Sequence, residues 1–223
     1  MPRAISSEDL GGAWLESARA ILADGEPATY DGSAIRELRH LDVVVARPRH
    51  TDPVIERLGD PERLAWMHDN FSARGTVAEL GGADSYATRL YDYAGTGLDQ
   101  VAWVVERLRA DRSSRSATVT TFEPGRDATY IPCVSLLDFW IPDAALELVV
   151  TAHSIDMGTK GYANLVELAR IQCGVAAQLG APTGPLLVRV KSAHVYERDV
   201  AALETVLDAP SAPRGPGATS PGR

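Results

Sequence analysis

The sequence predicts an α+β fold. Three observations carry this. Apolar residues recur at helical spacing near the start, middle and end of the chain. Four β-prone runs crowd into the second half. One long, almost uniformly apolar helical stretch lies among those runs.

Taken in order, "SSEDLGGAWLESARAILADG" predicts the first helix. Ser6 or Ser7 can cap it, Glu8 and Asp9 fall in its first turn, and Gly25 ends it. Leu10, Trp14, Ala18, Ile21 and Leu22 share one face. "LDVVVARP" (41–48) predicts a short buried strand. "DPVIERLG" and "DPERLAWMHDNF" each begin Asp-Pro, a cap followed by the first helical position. "GLDQVAWVVERLRADR" (97–112) is amphipathic, with Val101, Val104, Val105 and Leu108 inward. "SATVTTF" (116–122) alternates and is β-branched. "CVSLLDFWI" (133–141) and "ALELVVTAH" (145–153) are strands around the turn "PDA".

"YANLVELARIQCGVAAQLG" (162–180) predicts a buried central helix ending at Gly180. "GPLLVRVKSAHVY" (184–196) is a strand, and "ERDVAALETVLD" is the last helix. Residues 209–223 are rich in Pro, Gly, Ser and Ala without periodicity. They predict a disordered tail after one domain spanning 1–208.

The chain has 223 residues, 45% of them hydrophobic, enough for one sizeable core. A formal net charge of -8 argues against nucleic-acid and membrane-surface partners, because both are polyanions. It leaves room for a small anionic ligand held by a few local cations. The two cysteines build no disulfide framework and have no metal-ligand spacing. The opening "MPRAISSEDLGGAW" lacks a secretory pattern, and no apolar run approaches the ~20 residues of a membrane span. These features predict a cytoplasmic protein with reduced thiols.

Polar residues interrupt the apolar second half at few places. They are Cys133 after Pro132, "AHSID" (152–156), Asn164 inside the apolar helix, and "HVY" (194–196) at a strand end. Buried polar groups need partners or a function. Cys173 reads as a structural cysteine, and Trp66, Trp103 and Trp140 as core.

The ordered stretches "IPCVSLLDFW", "TAHSID", "MGTKGYANL" and "SAHVYERD" resemble the thymidylate synthases and related nucleotide hydroxymethylases. That family's signature is a Pro-Cys nucleophile heading a strand, then Arg-Ser-x-Asp at a strand end. An Asn follows eight residues after the Asp, and a later strand ends in His-x-Tyr. Asp156 plus eight is Asn164. "DSYATRLYDYAGTGLDQVAWVVERLRADRSSRSATVTTFEP" and "GDPERLAWMHDNF" resemble its upstream segments, so the likeness covers roughly 55–200.

The resemblance implies a mixed sheet flanked by helices, a homodimer with shared active sites, and one-carbon transfer from 5,10-methylenetetrahydrofolate to C5 of a pyrimidine nucleotide. Cys133 would be the thiolate that attacks C6 and makes C5 nucleophilic. Tyr86 would assist removal of the C5 proton, and Asp52 or Glu56 would be the upstream general base. Asn164 would read a uracil edge. Asp156 would hold the ring through its backbone or carboxylate, and His194 and Tyr196 would bind the sugar hydroxyl. Ser154 and Arg115 would bind phosphate, Arg115 from the partner subunit.

Several positions depart from the family pattern. The arginine before the signature serine is His153, and the second of a paired arginine set is Ser116. The early phosphate-loop arginine is absent from "ATYDGSAIREL". Lys160, Arg89 or His153 are the cations left to compensate. The histidine after the nucleophile is Val134, and the strand glutamine is Asp138. "SARGTVAEL" has no equivalent of the shielding tryptophan, and the chain ends in a Pro/Gly/Ser tail. An unshielded methylene admits water, which favours a hydroxymethyl product. Thymidylate synthase proper and a binding-only member are the two alternatives.

Overall fold

A computed structural model describes residues 3–127 and 130–210. The expected tail falls mostly on 211–223, outside the described residues. The chain begins with β1 (Arg3–Ser7), α1 (Leu10–Asp24), β2 (Glu26–Tyr30) and β3 (Ser33–Val45). Next come α2 (Pro53–Leu58), α3 (Pro61–Ser72), β4 (Thr76–Val77), a 3-10 turn at Ala78–Leu80, β5 (Ala83–Asp84), α4 (Tyr86–Tyr91) and α5 (Gln100–Ala110). Then follow β6 (Ala117–Thr120), β7 (Val134–Trp140), β8 (Leu146–Asp156), α6 (Gly161–Leu179), β9 (Thr183–Tyr196), a second 3-10 turn and α7 (Val200–Leu207). The mixed sheet has the order β1-β3-β9-β8-β7-β6, with β2 also paired to β3.

The element sequence predicted for the second half is present. At the start, two expectations change. Ser6 and Ser7 are not caps: they lie in β1, parallel to Val44 and Val45 of β3, and Asp9 caps α1 by accepting from Gly12 N. The strand at 41–48 is the end of a longer one. Its polar first half, 33–39, was not legible as a strand because it is only partly buried and gains its pairing from β2 and the end of β9.

Period-two alternation sorts β8 into two faces. Leu146, Leu148, Val150, Ala152 and Ser154 are buried on one side, while Glu147, Val149, Thr151 and His153 are half-buried or exposed on the other. On that side of the sheet α6 packs on β8 and β9, α1 on β3 and β9, and α5 on β6. The other side of the sheet carries Val44, Leu136, Val149, Leu187 and the Asp42–Arg189 ion pair, and no described element covers it.

β8 and β9 run parallel, joined by α6, which is buried along most of its length. The joint is tight. A Cβ at Gly161 would come within 2.6 Å of Met157 Sδ, so any other residue there would force the buried methionine to shift. Trp14 Nε1 donates to Met157 O at 2.9 Å, fixing the same turn to α1. At the far end Gly180 adopts the left-handed conformation (φ 60°) that closes α6, as its position predicted.

Candidate active site

The parallel pair sets the geometry. Its register places Asp156 beside His194 and Ser154 beside Ser192 at the carboxyl ends of the strands, where α6 begins. Ligand sites of open sheets form at such ends, since side chains, loops and a helix N-terminus converge there. β7 runs antiparallel to β8, so its beginning arrives at the same place. His153 N donates to Cys133 O at 2.9 Å. The cleft that results is lined by Cys133, Ser154, Asp156, Asn164, His194 and Tyr196, together with Lys160, Tyr130, Tyr30, Asp31, Glu79, Leu80 and Gly81.

Cys133 is partly exposed in the cleft. Burial pushes its thiol up; Lys160 and the Tyr130 hydroxyl pull it back, and Asp156 opposes them. Tyr86 lies behind it. Its hydroxyl oxygen accepts from Val134 N at 2.9 Å, its own N–H donates to Asn70 Oδ1 at 3.0 Å, and its ring stacks on Phe71 at 4.3 Å. Burial, first, and the neighbouring Cys133 raise the Tyr86 phenol well above its usual value, so it stays protonated. With its oxygen engaged by Val134, its own proton is free to be donated.

His194 is 2% exposed. Its Nδ1 lies 3.4 Å from Ser154 Oγ, while Nε2 is buried without a partner. Burial lowers its pKa despite Asp156, so the ring is neutral at pH 7. The Asp156 carboxylate is committed to the turn, accepting from Gly158 N, Thr159 N and the Thr159 hydroxyl. That leaves its backbone to meet a ligand. Asn164 gives one Nδ2 hydrogen to Lys160 O at 3.0 Å, which leaves its second hydrogen and Oδ1 for another partner.

Five expected residues lie elsewhere. Asp52 is a buried cap: Oδ1 accepts from Val54 N and Ile55 N, and Oδ2 from Gly11 N at 2.9 Å. Such a cap is worth about 0.5–2 kcal/mol. It lines a separate hollow that also contains Glu56, so the structure brings neither carboxylate to Cys133. His153 follows the strand period. With Ser154 on the cleft side, its ring is on the open face near Lys191; its own partial burial first, and then the Lys191 charge, lower its pKa. Arg89 is buried in a bidentate ion pair with Asp127 and is unavailable to a phosphate. Arg115 is exposed and sits 5.9 Å from the Trp140 ring centroid. That is the opposite end of the β6–β7 pair from Cys133, seven residues or about 23 Å away along β7.

Trp103 and Trp140 are exposed rather than core. Trp66 is partly buried, with Arg63 and Lys160 over its ring. Sequence reasoning missed Tyr30, Asp31, Glu79 and Tyr130 in the cleft. The available signal for the first two was "YDGS", a two-residue hairpin turn by composition.

The thymidylate synthase family profile matches residues 52–216. The chain belongs to the thymidylate synthase family. A candidate thymidylate synthase of Methanosarcina acetivorans is 30% identical over 213 residues, covering 92% of this chain and 94% of the relative. One from Methanopyrus kandleri is 31% identical over 196 residues, covering 84% and 90%. The bifunctional dihydrofolate reductase-thymidylate synthase of Leishmania amazonensis is 25% identical, covering 86% of this chain and 34% of the relative. The chain is therefore a folate-dependent C1 transferase acting on a pyrimidine, with 5,10-methylenetetrahydrofolate as carbon donor. No helix among the described residues is long and apolar enough to cross a membrane.

The residues present fit that donor. A second hollow shares Asp156, Lys160 and Tyr196 with the Cys133 cleft. Leu58, Leu203 and Val206 line it together with Arg63, Arg198, Asp60 and Asp199. Its apolar part suits a flat pterin ring, and Arg63 and Arg198, each beside a carboxylate of Glu79 or Asp199, are the cations there for an acidic tail.

The thiol's surroundings predict its reactivity. In a Cys173→Ala background, alkylation by iodoacetamide should be slow at pH 7 and rise with a midpoint above the ordinary thiol range near about 8.5. Lys160→Met should move that midpoint further up. Intact-mass time courses across pH measure both. A midpoint below the ordinary range, or one that falls in Lys160→Met, contradicts this electrostatic account.

Proposed function

We propose that the protein is a hydroxymethylase of the family, placing a CH2OH group on C5 of a uracil-type pyrimidine. The observation that carries this reading is the wall formed by Glu79, Leu80 and Gly81. Where the family's shielding indole was expected, the described residues present a carboxylate to the cleft. Glu79 is held at the rim by Arg63 at 3.6 Å. A water beside it can lose a proton to it and add to an exocyclic methylene on the base.

The chain's residues divide the remaining work. The Cys133 sulfur bonds to C6 as the C5–C6 π electrons move toward O4, and C5 gains the donor's carbon. Loss of the C5 proton to water beside the Tyr86 hydroxyl would let the donor's amine depart from the transferred carbon and leave an exocyclic methylene; water adds there, and expulsion of the Cys133 thiolate restores the ring. Asn164 Oδ1 accepts from N3–H while its free amide hydrogen meets O4, a pattern that suits uracil. His194 Nε2 and Tyr196 meet a sugar hydroxyl, and the backbone of Asp156 meets the ring. When bound, the folate supplies one carbon at the oxidation level of formaldehyde.

The open sheet face supports a homodimer. Apolar Val44, Leu136, Val149 and Leu187 alternate there with paired charges, and a second copy would bury them by a two-fold. Arg115, far from its own cleft, would then have a second site to serve. Light scattering should give twice the 23.9 kDa chain mass; a monomer at micromolar concentration contradicts the dimer.

The product assay uses 5,10-methylenetetrahydrofolate with a uracil nucleoside and its 5′-phosphate. The expected gain is CH2O, with tetrahydrofolate as co-product. A gain of CH2 with dihydrofolate would instead make the protein a methylating thymidylate synthase. Glu79→Gln should lower the hydroxymethyl yield roughly 10²-fold if Glu79 handles the water proton.

A further inference from the structure

We propose that Arg89 is a positioning residue for the nucleophile: together with Tyr86 it clamps the neck of the loop that carries Cys133. This inference rests on the C5-transfer reading above and names the groups that aim its sulfur. Thr121 and Val134 close the loop. Thr121 N donates to Ser135 O at 3.1 Å, and the Thr121 hydroxyl donates to Val134 O. Cys133 is the last residue inside that neck.

Helix α4 holds the neck on both of its strands. Tyr86 and Arg89 stand at i and i+3, so they share one face of the helix. On the returning side the Tyr86 hydroxyl oxygen accepts from Val134 N. On the departing side Arg89 Nη1 donates to Thr121 O at 2.8 Å. The rest of the guanidinium reaches into the loop and behind it. Nη1 and Nη2 donate to Asp127 Oδ2 and Oδ1 at 2.9 and 2.7 Å, and Nε donates to Asp84 O at 3.1 Å. Asp127 passes the hold on, accepting from Glu123 N at 2.7 Å while its own N–H donates to Glu123 O at 2.8 Å. Gln100 Nε2 donates to Arg89 O at 2.8 Å and to Thr120 O at 2.7 Å, which ties the clamp to α5.

Arg89 is 2% exposed, and its planar fork joins three points of the chain at once: Asp84 O, Thr121 O and the Asp127 carboxylate. An ammonium has no such fork and could serve only part of that set. His153 N already fixes the Cys133 carbonyl from the β8 side, so the clamp governs the remaining freedom, the path of the chain into Cys133. The residues assigned to the nucleotide, Asp156, Asn164, His194 and Tyr196, come from β8, α6 and β9 instead. A loosened clamp therefore displaces the sulfur from a nucleotide that still binds. A misplacement of about 1 Å at reacting atoms is worth on the order of 10²-fold in rate. It also relieves the burial that pushes the Cys133 thiol up.

The test compares Arg89→Lys with the unaltered full-length protein. Calorimetry gives the Kd and the number of sites for 2′-deoxyuridine and uridine 5′-phosphates. Exchange of the C5 hydrogen into D2O, with 5,10-methylenetetrahydrofolate and saturating nucleotide, gives a rate per site. Exchange needs only addition of the Cys133 thiolate to C6, deuteration at C5, loss of the original C5 proton to water and expulsion of the thiolate. Alkylation across pH in a Cys173→Ala background gives the thiol midpoint. In Arg89→Lys the exchange rate per site should fall at least about tenfold while Kd stays within about threefold. The alkylation midpoint should fall toward the ordinary thiol range near about 8.5. Counting per site removes any loss of folded protein, so an arginine that serves stability alone would leave rate and midpoint unchanged, and that result overturns the proposal. A Kd that weakens in step with the rate overturns it too, by making Arg89 a binding residue. Thr121→Val removes only the neck's hydroxyl bond and keeps the ion pair. It should move rate and midpoint in the same directions, and an unchanged rate and midpoint there overturn the clamp even where Arg89→Lys does not fold. If the unaltered protein exchanges neither nucleotide, the C5-transfer reading fails, and the alkylation midpoint alone then decides for or against the clamp.

Discussion

The parallel pairing of β8 with β9 is the constraint on which the site depends. It sets Asp156 against His194, and the buried helix α6 that joins the strands starts at Gly161, close against Met157. Because α6 begins there, Lys160 and Asn164 arrive at the strand ends. Because β7 pairs antiparallel to β8, with His153 N donating to Cys133 O, Cys133 comes to the same end. A slip of one residue in any of these pairings would turn Ser154 away and His153 in.

The cleft's electrostatics follow from its construction. Three strand ends and a helix start bury a thiol, a phenol and an imidazole together, and burial disfavours the charged form of each. One lysine offsets that cost at the sulfur. The Asp156 carboxylate, spent on holding the turn, opposes it. The resting site is therefore largely neutral at its floor, with Lys160 and the Arg63–Glu79 pair at its rim.

Much of this was legible in the sequence because it depends on spacing. The cysteine after Pro132, the eight-residue step from Asp156 to Asn164, and His-x-Tyr at a strand end all meet in one cleft. The capping role of Asp52 was legible too, since Asp-Pro marks a helix start. His153 could have been excluded from the cleft by alternation alone, as it is adjacent to Ser154 in a strand. Tyr30, Asp31 and Glu79 could not have been placed. They belong to a polar hairpin and a short 3-10 turn whose positions are set by pairing partners more than a hundred residues away in sequence or by packing on α3. β1 and β2 were missed for the same reason: short, polar edge strands take their structure from β3.

The claim that Cys133 attacks the pyrimidine ring is tested most directly by trapping. The protein would be incubated with 5,10-methylenetetrahydrofolate and 5-fluoro-2′-deoxyuridine or its 5′-phosphate, then digested and mapped by mass spectrometry. Fluorine cannot leave C5 as a proton does, so the covalent adduct should accumulate on the peptide bearing Cys133 and vanish in Cys133→Ser. An adduct confined to Cys173, or none with either compound, would contradict the assignment of Cys133 as the nucleophile.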